Sequence, residues 1–300
     1  MNHFDRFSEI LKESQIRFGE PMSRHTTFGI GGPADCFLTP ATESEMQAVM
    51  RVIQEERLPF FVLGGGANLL VRDKGIRGVV ISTSRLQGLR RDGNHVIAGS
   101  GVSTVRAARF AQEEGLSGME FASGIPGTVG GAAFMNAGAY GGEMSKVIVS
   151  ALTCDDMGNF HTYSKEDIAY EYRHSLFMDD PQAILSITYE LVPDDKQEIK
   201  ARMDEFNRRR HEKQPLDARS AGSTFKRPEG HFVGAMIEEL GLKGFSMGEA
   251  AVSEKHAGFL INKGGASCAD MLMLIREVQR QVKARFGVDL EPEVQIIGEK

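Results

Sequence analysis

The sequence predicts an α+β fold with more than one domain. Its 300 residues are enough for two or three domain cores, and an apolar fraction of 41% with a charged fraction of 25% is ordinary for a globular protein. Segments typical of helices and of strands both occur. They do not alternate in the regular strand–helix–strand order that builds a parallel sheet, so α+β fits better than α/β.

The predicted helices are recognised by their caps and by the spacing of their apolar residues. Residues 42–58 should form a helix, because Thr42 and Glu45 have the spacing of a capping box. Residues 267–286 form the clearest helix of the chain, with a capping box at the start and Gly287 at the end. Three more helices are predicted at residues 103–114, 196–213 and 233–240.

The predicted strands are short apolar or alternating runs bounded by turn residues. They lie at residues 36–38, 59–63, 79–81, 95–98, 147–153, 160–163, 183–191 and 288–297. The charged helix at 196–213 is predicted to be a hinge between domains.

Charge and cysteine usage exclude several classes of protein. A net charge of -6 gives no electrostatic reason to expect nucleic acid or an anionic membrane as a partner, and no obligate protein partner is evident. Three widely spaced cysteines, Cys36, Cys154 and Cys268, form neither a zinc motif nor a disulfide framework, so we expect buried thiols and no metal. The first ten residues lack the apolar core of a signal peptide, and we expect a cytoplasmic protein.

Residues 121–142 contain no charge and are the most informative segment. The length would suit a membrane span, but seven glycines and Pro126 would weaken any helix. Large apolar side chains, such as Ile125 and Phe134, argue against a flexible linker. The segment therefore predicts a buried backbone that packs closely against a ligand of cofactor size.

Two shorter glycine motifs give different predictions. Residues 64–68 hold three glycines after a predicted strand and could present N–H groups to a diphosphate, although a plain tight turn is the alternative. Residues 29–34 fit the G-x-G-x-x-A pattern, but strand-like residues follow rather than a long helix. We interpret residues 29–34 as a turn near a ligand.

Three polar motifs lie beyond the glycine-rich half. Arg173 is flanked by aromatic residues and suits a carboxylate clamp, with a structural ion pair as the alternative. Ser223 follows a glycine in an accessible turn, without the G-x-S-x-G pattern of a hydrolase nucleophile, and an ordinary turn is the alternative. Glu291 and Glu293 lie on one face of a predicted edge strand around Pro292, where exposed edge charges are the alternative.

Taken in order, these motifs resemble the UDP-N-acetylenolpyruvoylglucosamine reductase family over nearly the whole chain. The matching segments are residues 24–28, 63–70, 123–131, 172–177, 222–226 and 291–294. The resemblance implies two N-terminal FAD-binding subdomains of the vanillyl-alcohol-oxidase type. It also implies a C-terminal substrate domain whose last strand can return towards the FAD site. We place these three parts at residues 1–85, 86–195 and 196–300.

The resemblance also implies the reaction. NADPH reduces the flavin, and the flavin N5 passes hydride to C3 of the enolpyruvyl group of UDP-N-acetylglucosamine enolpyruvate. A serine protonates C2, which gives UDP-N-acetylmuramate for peptidoglycan synthesis, and hence for cell-wall growth, cell shape and division. By position in the motifs, the catalytic residues are Arg173, Ser223 and Glu293.

Binding residues are carried over in the same way. The FAD-binding residues would be Gly64, Gly65, Gly66, Ala67, Asn68, Leu69, Ser123, Gly124, Ile125, Pro126, Gly127, Thr128 and Gly131. The residues expected to bind the nucleotide-sugar are Lys226, His256 and Asn262, although His256 could equally be a structural histidine.

Two departures from the family pattern stand out. Arg227 replaces the usual asparagine, and the short stretch between Phe177 and Ala183 leaves no room for the tyrosine-bearing lid of one branch. The chain therefore resembles the short branch of the family. The alternatives are an FAD-dependent hydroxy-acid oxidase of the same cofactor fold and a nucleotide-binding module without chemistry. Gly222-Ser223 and Glu291-Pro292-Glu293 argue against the oxidase, and the presence of Arg173, Ser223 and Glu293 argues against the module.

Overall fold

A computed structural model describes residues 4–300, which divide into two compact units. Within these residues, the first unit comprises residues 4–18, Asp35–Gly65 and Gly78–Arg209. The second comprises Gly19–Ala34, Gly66–Arg77 and Arg210–Lys300. Both units draw on segments that are distant in sequence, and the predicted borders after residues 85 and 195 stay predictions.

The α-helices of residues 4–300 are named α1 to α8 in chain order. They are Glu43–Glu56, Thr104–Glu113, Val129–Phe134, Lys165–Ile168, Leu176–Asp179, Lys196–Lys213, Val233–Glu239 and Cys268–Phe286.

The strands are named β1 to β18 in the same way. They are Ile16–Pro21, Pro33–Leu38, Phe60–Leu63, Leu69–Val71, Ile76–Ser82, Leu89–Asp92, His95–Gly99, Leu116–Ser117, Gly138–Ala139, Gly142–Glu143, Ile148–Cys154, Phe160–Ser164, Ala183–Glu190, Val192–Pro193, Ser246–Met247, Ala250–Val252, Leu260–Asn262 and Gln295–Ile297.

Two larger sheets have most of their residues in the first unit. One has the strand order β1-β2-β5-β3, with β3 parallel to β5, and α1 packs into its core through buried residues such as Met46 and Val49. The other is antiparallel with the order β12-β11-β13-β7-β6. Apolar side chains of α2 and α3 join the buried core of this second sheet, which includes Ile187 and Tyr189 of β13.

The second unit is built around α8. Its buried residues, including Leu274, Ile275 and Val278, share one core with the three-stranded sheet β15-β16-β17 and with α7. A separate parallel pair joins β4 to β18. The capping box predicted for α8 is present, and Gly287 ends the helix in the left-handed conformation at φ 72°.

Most predicted elements are confirmed, and the differences have local reasons. The strand predicted at 288–297 is wrong before Gln295, because Pro292 has no N–H for a continuous ladder and meets Phe225 in a single bridge. The segment 121–142 contains α3, which its glycine content argued against. A Cβ on Gly130 would lie 2.7 Å from the Cβ of Ser100, so packing requires a small residue there and overrides helix propensity.

Caps and cysteines give two smaller outcomes. Thr42 accepts a hydrogen bond from the N–H of Glu45, but the Glu45 carboxylate accepts from the N–H of Ala41, so only half of the predicted capping box forms. The three cysteines are free and buried, and burial raises the pKa of Cys36 and Cys154 to about 12 and that of Cys268 to about 11.

Membrane crossing was a question raised by the uncharged segment. In the part of the chain that the structure describes, no helix is both long and apolar enough to cross a bilayer. The cytoplasmic location stays a prediction.

Candidate active site

The two glycine-rich segments of the first unit touch each other directly. A Cβ on Gly65 would lie 2.7 Å from the Cα of Gly127, and a Cβ on Gly64 would lie 2.7 Å from the Thr128 hydroxyl oxygen. Distances this short leave no room for side chains. Gly65 is therefore required by close packing against the backbone of Gly127, and Gly64 by its contact with the Thr128 hydroxyl, whether or not a ligand also approaches them.

A buried hydroxyl between these segments fits a bound cofactor. The Thr128 oxygen has no hydrogen-bond partner among the residues that the structure describes, although Thr128 is the N-cap of α3. Leaving a buried hydroxyl unsatisfied costs about 1–3 kcal/mol. The position is also open on one side, because a Cβ on Gly131 would meet only the Thr128 oxygen, at 3.6 Å. A polar group of FAD would satisfy this hydroxyl.

The remaining residues predicted to bind FAD in the first unit have varied surroundings. Ser123 is 4% exposed, and its hydroxyl lies 3.5 Å from Oδ1 of Asn207. The carbonyl of Ile125 accepts a hydrogen bond from the Thr104 hydroxyl at 2.6 Å. Gly124 is half-buried, Pro126 is exposed, and both continue the same turn.

In the second unit, the triple-glycine motif continues into residues that hold other chain segments. Gly66 adopts φ 62°, and a Cβ there would lie 1.9 Å from the carbonyl oxygen of His25. The side-chain amide of Asn68 donates to the main-chain carbonyl of Glu293 at 3.0 Å. The main-chain carbonyl of Asn68 accepts from the N–H of Gln295 at 3.0 Å. Ala67 follows Gly66, and Leu69 opens β4. Asn68 therefore fixes the chain that carries Glu293, a role its sequence motif did not indicate.

Arg173 lies at the tip of a hairpin in the first unit. Glu171 and His174 pair on either side of it, and Arg173 adopts φ 56°, a left-handed conformation that is uncommon for residues other than glycine. Its guanidinium donates to the carbonyls of Asn136 and Gly138, both at 3.2 Å. The guanidinium plane is thus fixed by main-chain acceptors.

Ser223 belongs to the second unit and is exposed at the start of a short extended segment. Gly222 before it adopts φ 77°, and a Cβ there would meet nothing within 4 Å, so the need for glycine is conformational. Ser223 pairs with Phe259 in an antiparallel bridge. The next residue, Thr224, is buried and accepts from the N–H of Leu260 through its hydroxyl at 3.2 Å.

Glu293 lies on the other side of the Ser223 segment. Its N–H donates to the carbonyl of Thr224 at 2.8 Å, and the next pair along is the bridge between Phe225 and Pro292. Within the second unit, Ser223 and Glu293 therefore lie on neighbouring segments. The hydrogen bond from the N–H of Glu293 to the carbonyl of Thr224 joins the two segments. Arg173 belongs to the first unit.

The residues predicted to bind substrate are partly engaged within the second unit. Lys226 forms an ion pair with Glu291 at 2.6 Å. Asn262 is 4% exposed, and its amide donates to Phe28 while its Oδ1 accepts from Gly264 and Ala266. Asn262 therefore braces the main chain, and its role in substrate binding stays a prediction.

His256 and Arg227 have well-defined local partners. Nδ1 of His256 accepts from the N–H of Gly258 at 3.1 Å, and the ring packs edge-on against Phe259. Burial lowers the pKa of His256 from its ordinary value of 6.5, so the ring is held neutral. Arg227, at the position where the family has asparagine, stacks over the ring of Phe232 at 4.0 Å and donates to the carbonyl of His231.

The sequence analysis missed one residue at this site. Asn136 is 1% exposed, adopts φ 47° and accepts from Arg173 through its carbonyl. The available signal was an asparagine inside an otherwise apolar, glycine-rich segment, because asparagine tolerates the left-handed conformation better than most residues.

The fold and these segments define a class, that of the FAD-dependent oxidoreductases. Residues 34–164 match the model of an FAD binding domain family. Residues 214–297 match the model described as UDP-N-acetylenolpyruvoylglucosamine reductase, C-terminal domain.

Complete relatives define the family. A UDP-N-acetylenolpyruvoylglucosamine reductase of Caldanaerobacter subterraneus is 48% identical over 99% of this chain and 98% of its own length. The reductase of the same name from Clostridium botulinum is 48% identical over 100% and 98%. The crystal structure of this reductase from Thermus caldophilus superposes with a TM-score of 0.81 at 35% identity, covering 94% of this chain and 99% of that one.

The chain therefore belongs to the UDP-N-acetylenolpyruvoylglucosamine reductase family, and it is an FAD-dependent oxidoreductase of peptidoglycan precursor synthesis. A grass pollen allergen with glucose dehydrogenase activity, Phl p 4, matches 64% of this chain and 44% of its own at a TM-score of 0.50 and 11% identity, which shows a shared fold alone. The hydroxy-acid oxidase alternative is set aside by the family assignment.

Proposed function

We propose that this chain reduces the enolpyruvyl group of UDP-N-acetylglucosamine enolpyruvate, with NADPH as the reductant and Ser223 as the proton donor. The observation that carries the proposal is the Ser223 segment. An exposed hydroxyl follows a left-handed glycine and is fixed, through Thr224, to the chain that carries Glu293. Family membership supports the proposed reaction, and this geometry supports the roles proposed for Ser223 and Glu293.

FAD is proposed to lie against the glycine-rich segments, with Thr128 as a polar contact. When bound, FAD would supply the chemistry of hydride transfer between NADPH and C3 of the substrate. The residues of the chain bind and orient the cofactor, and the close packing of Gly65 on Gly127 keeps that wall rigid.

Ser223 is proposed to protonate C2. A serine hydroxyl is too weak an acid to protonate ordinary groups near neutral pH, but a carbanion beside a carboxylate is basic enough to accept its proton. Hydride on C3 and a proton on C2 together saturate the double bond, NADPH becomes NADP⁺, and the serine recovers its proton from solvent. We assign Glu293, on the neighbouring segment, to orient a water for that return.

Arg173 is proposed to stabilise the anionic intermediate. A guanidinium is always charged and offers N–H donors in a planar fork that matches a carboxylate. Donors fixed before the reaction stabilise developing charge without reorganisation, and the two carbonyls that hold Arg173 supply that fixation. Lys226 is proposed to bind the diphosphate of the nucleotide-sugar by exchanging its pair with Glu291. His256 and Asn262 are proposed to shape the nucleotide-sugar site.

Ser223→Ala tests the proposal through the two half-reactions. Anaerobic reduction of the flavin by NADPH should stay within about twofold of wild type, because the hydroxyl takes no part in it. Oxidation of the reduced flavin by the enolpyruvyl substrate should slow by about a hundredfold or more, as for loss of a general acid. The matched control is Ser220→Ala, a serine of the same loop, which should leave both rates unchanged.

Equal losses in both half-reactions would assign Ser223 a structural role and remove it from the mechanism. A Ser223→Ala enzyme that reduces the substrate at the wild-type rate would do the same.

A further inference from the structure

The side chain of Asn136 joins the Arg173 hairpin to the segment around Ser145. Its Nδ2 donates to the carbonyl of Glu171, on the hairpin that carries Arg173, at 2.9 Å. Its Oδ1 accepts from the N–H of Ser145 at 2.9 Å. Its main-chain carbonyl accepts from the guanidinium of Arg173 at 3.2 Å. Since Asn136 is 1% exposed, water does not compete for these bonds.

Both partners are held in the left-handed region of backbone conformation. Asn136 adopts φ 47° and Arg173 adopts φ 56°. For a residue other than glycine this conformation costs roughly 1–2 kcal/mol, and such strain collects at functional sites. Glycine at position 136 would relieve the backbone but would lose both amide bonds. Conformation alone therefore does not explain an asparagine here.

We propose that Asn136 is a positioning residue for the reductase reaction. It fixes the Arg173 hairpin and supplies one of the two carbonyls against which the guanidinium lies, so the fork has one orientation. Both ends of its amide are bonded to the main chain, so Asn136 acts through Arg173 rather than on the substrate. This inference rests on the role proposed above for Arg173.

A double-mutant cycle tests the inference on the flavin-loaded enzyme. Asn136→Gly keeps the carbonyl and removes the amide. It should slow oxidation of the reduced flavin by substrate by about tenfold to a hundredfold, because small misplacements of a catalytic group have effects of that size. Flavin reduction by NADPH should change by less than about twofold. Asn94→Gly, which removes an exposed amide from the turn between β6 and β7, is the control and should leave both rates unchanged.

The cycle separates the inference from the proposed function. Arg173→Lys alone should be severely impaired, and adding Asn136→Gly should slow it by no more than about twofold, because interacting residues are not additive. A nearly active Arg173→Lys enzyme would refute the role of Arg173 itself. An impaired Arg173→Lys beside a normal Asn136→Gly would refute the inference alone. If the rate losses of the two single variants multiply in the double variant, Asn136 is merely structural. Equal losses in both half-reactions of Asn136→Gly would lead to the same conclusion.

Asn136→Asp covers the case in which Asn136→Gly does not fold. The ionised aspartate keeps an acceptor for the N–H of Ser145, loses the donor to the carbonyl of Glu171 and places a negative charge beside that carbonyl. It should show the same selective loss and the same non-additivity with Arg173→Lys. A wild-type rate for this variant would overturn the inference.

Discussion

The Arg173 hairpin and the Ser223 segment reach their geometry in opposite ways. At the hairpin, the functional residue itself takes the left-handed conformation, and so does its carbonyl partner Asn136. At the serine, the neighbouring Gly222 takes that conformation, and Ser223 continues as an extended residue bridged to Phe259. At the hairpin, the strained backbone is that of the functional residue Arg173 itself. At the serine segment, the left-handed backbone is that of the neighbouring Gly222, for which it carries no strain.

The difference follows from what each group must do. A hydroxyl on a short side chain is placed by the backbone alone, so a regular bridge with a flexible residue before it is sufficient. A long guanidinium has several rotatable bonds, so main-chain acceptors at Asn136 and Gly138 must fix its plane. The left-handed backbone of Arg173 therefore accompanies the two hydrogen bonds that fix its guanidinium.

The largest expected effect comes from Arg173→Gly. Glycine relieves the left-handed backbone, which offsets part of the loss of the two carbonyl bonds, so the free energy of unfolding should change by no more than about 1 kcal/mol. Turnover should nevertheless fall by about a hundredfold to a thousandfold, as for the loss of one preorganised donor. Thermal unfolding and steady-state rates measure the two effects.

The matched control for this variant is Arg57→Gly. Arg57 is exposed and ends α1 at φ 52°, so glycine relieves left-handed strain of roughly 1–2 kcal/mol, partly offset by a more flexible unfolded chain, and should leave turnover unchanged. If Arg173→Gly loses its flavin or unfolds, the hairpin is a structural element and the comparison fails.

The sequence predicted these two regions unequally. The helix α8, with its capping box and its left-handed Gly287, was predictable because every signal was local. Gly222 and Ser223 were predictable for the same reason. The bond from Asn68 to Glu293 and the contact of Gly65 with Gly127 were not, because they join residues far apart in the chain. Asn136 was missed because its partners at 145, 171 and 173 are fixed only by the fold.

A smaller effect is expected from Gly222→Ala. Nothing lies within 4 Å of the added Cβ, so the only penalty is the left-handed backbone, roughly 1–2 kcal/mol of unfolding free energy. The strain should also rotate Ser223 and reduce substrate reduction by about tenfold. Chemical denaturation and the substrate half-reaction measure these changes.

Gly241→Ala is the control for that variant. Gly241 has φ 67° and equally open surroundings, but it follows α7 and lies outside the proposed site. It should lose similar stability without losing activity. Equal losses of activity in the two variants would show that Gly222 has no special relation to Ser223.

The last prediction concerns stability rather than turnover, at Glu120, the charged residue that precedes the uncharged segment 121–142. Glu120 is 8% exposed and accepts from Ser117 and Gly118, each at 2.7 Å, and from Arg202 at 2.9 Å. Burial alone would raise the pKa of this carboxyl, but the hydrogen bonds outweigh it and hold the pKa below the ordinary 4.5. Its contribution to stability is therefore present above about pH 4.5 and lost as pH falls through the lowered pKa.

Glu120→Gln should lower the unfolding free energy at pH 7 by about 1–3 kcal/mol, because buried donors lose a charged acceptor. Melting temperatures measured from pH 7 down to pH 3 should also fall less steeply below pH 4.5 than those of the wild type. Glu113→Gln, on the exposed side of α2, should follow the wild-type curve. An unchanged acid limb in Glu120→Gln would show that this carboxylate contributes no acid-sensitive stability.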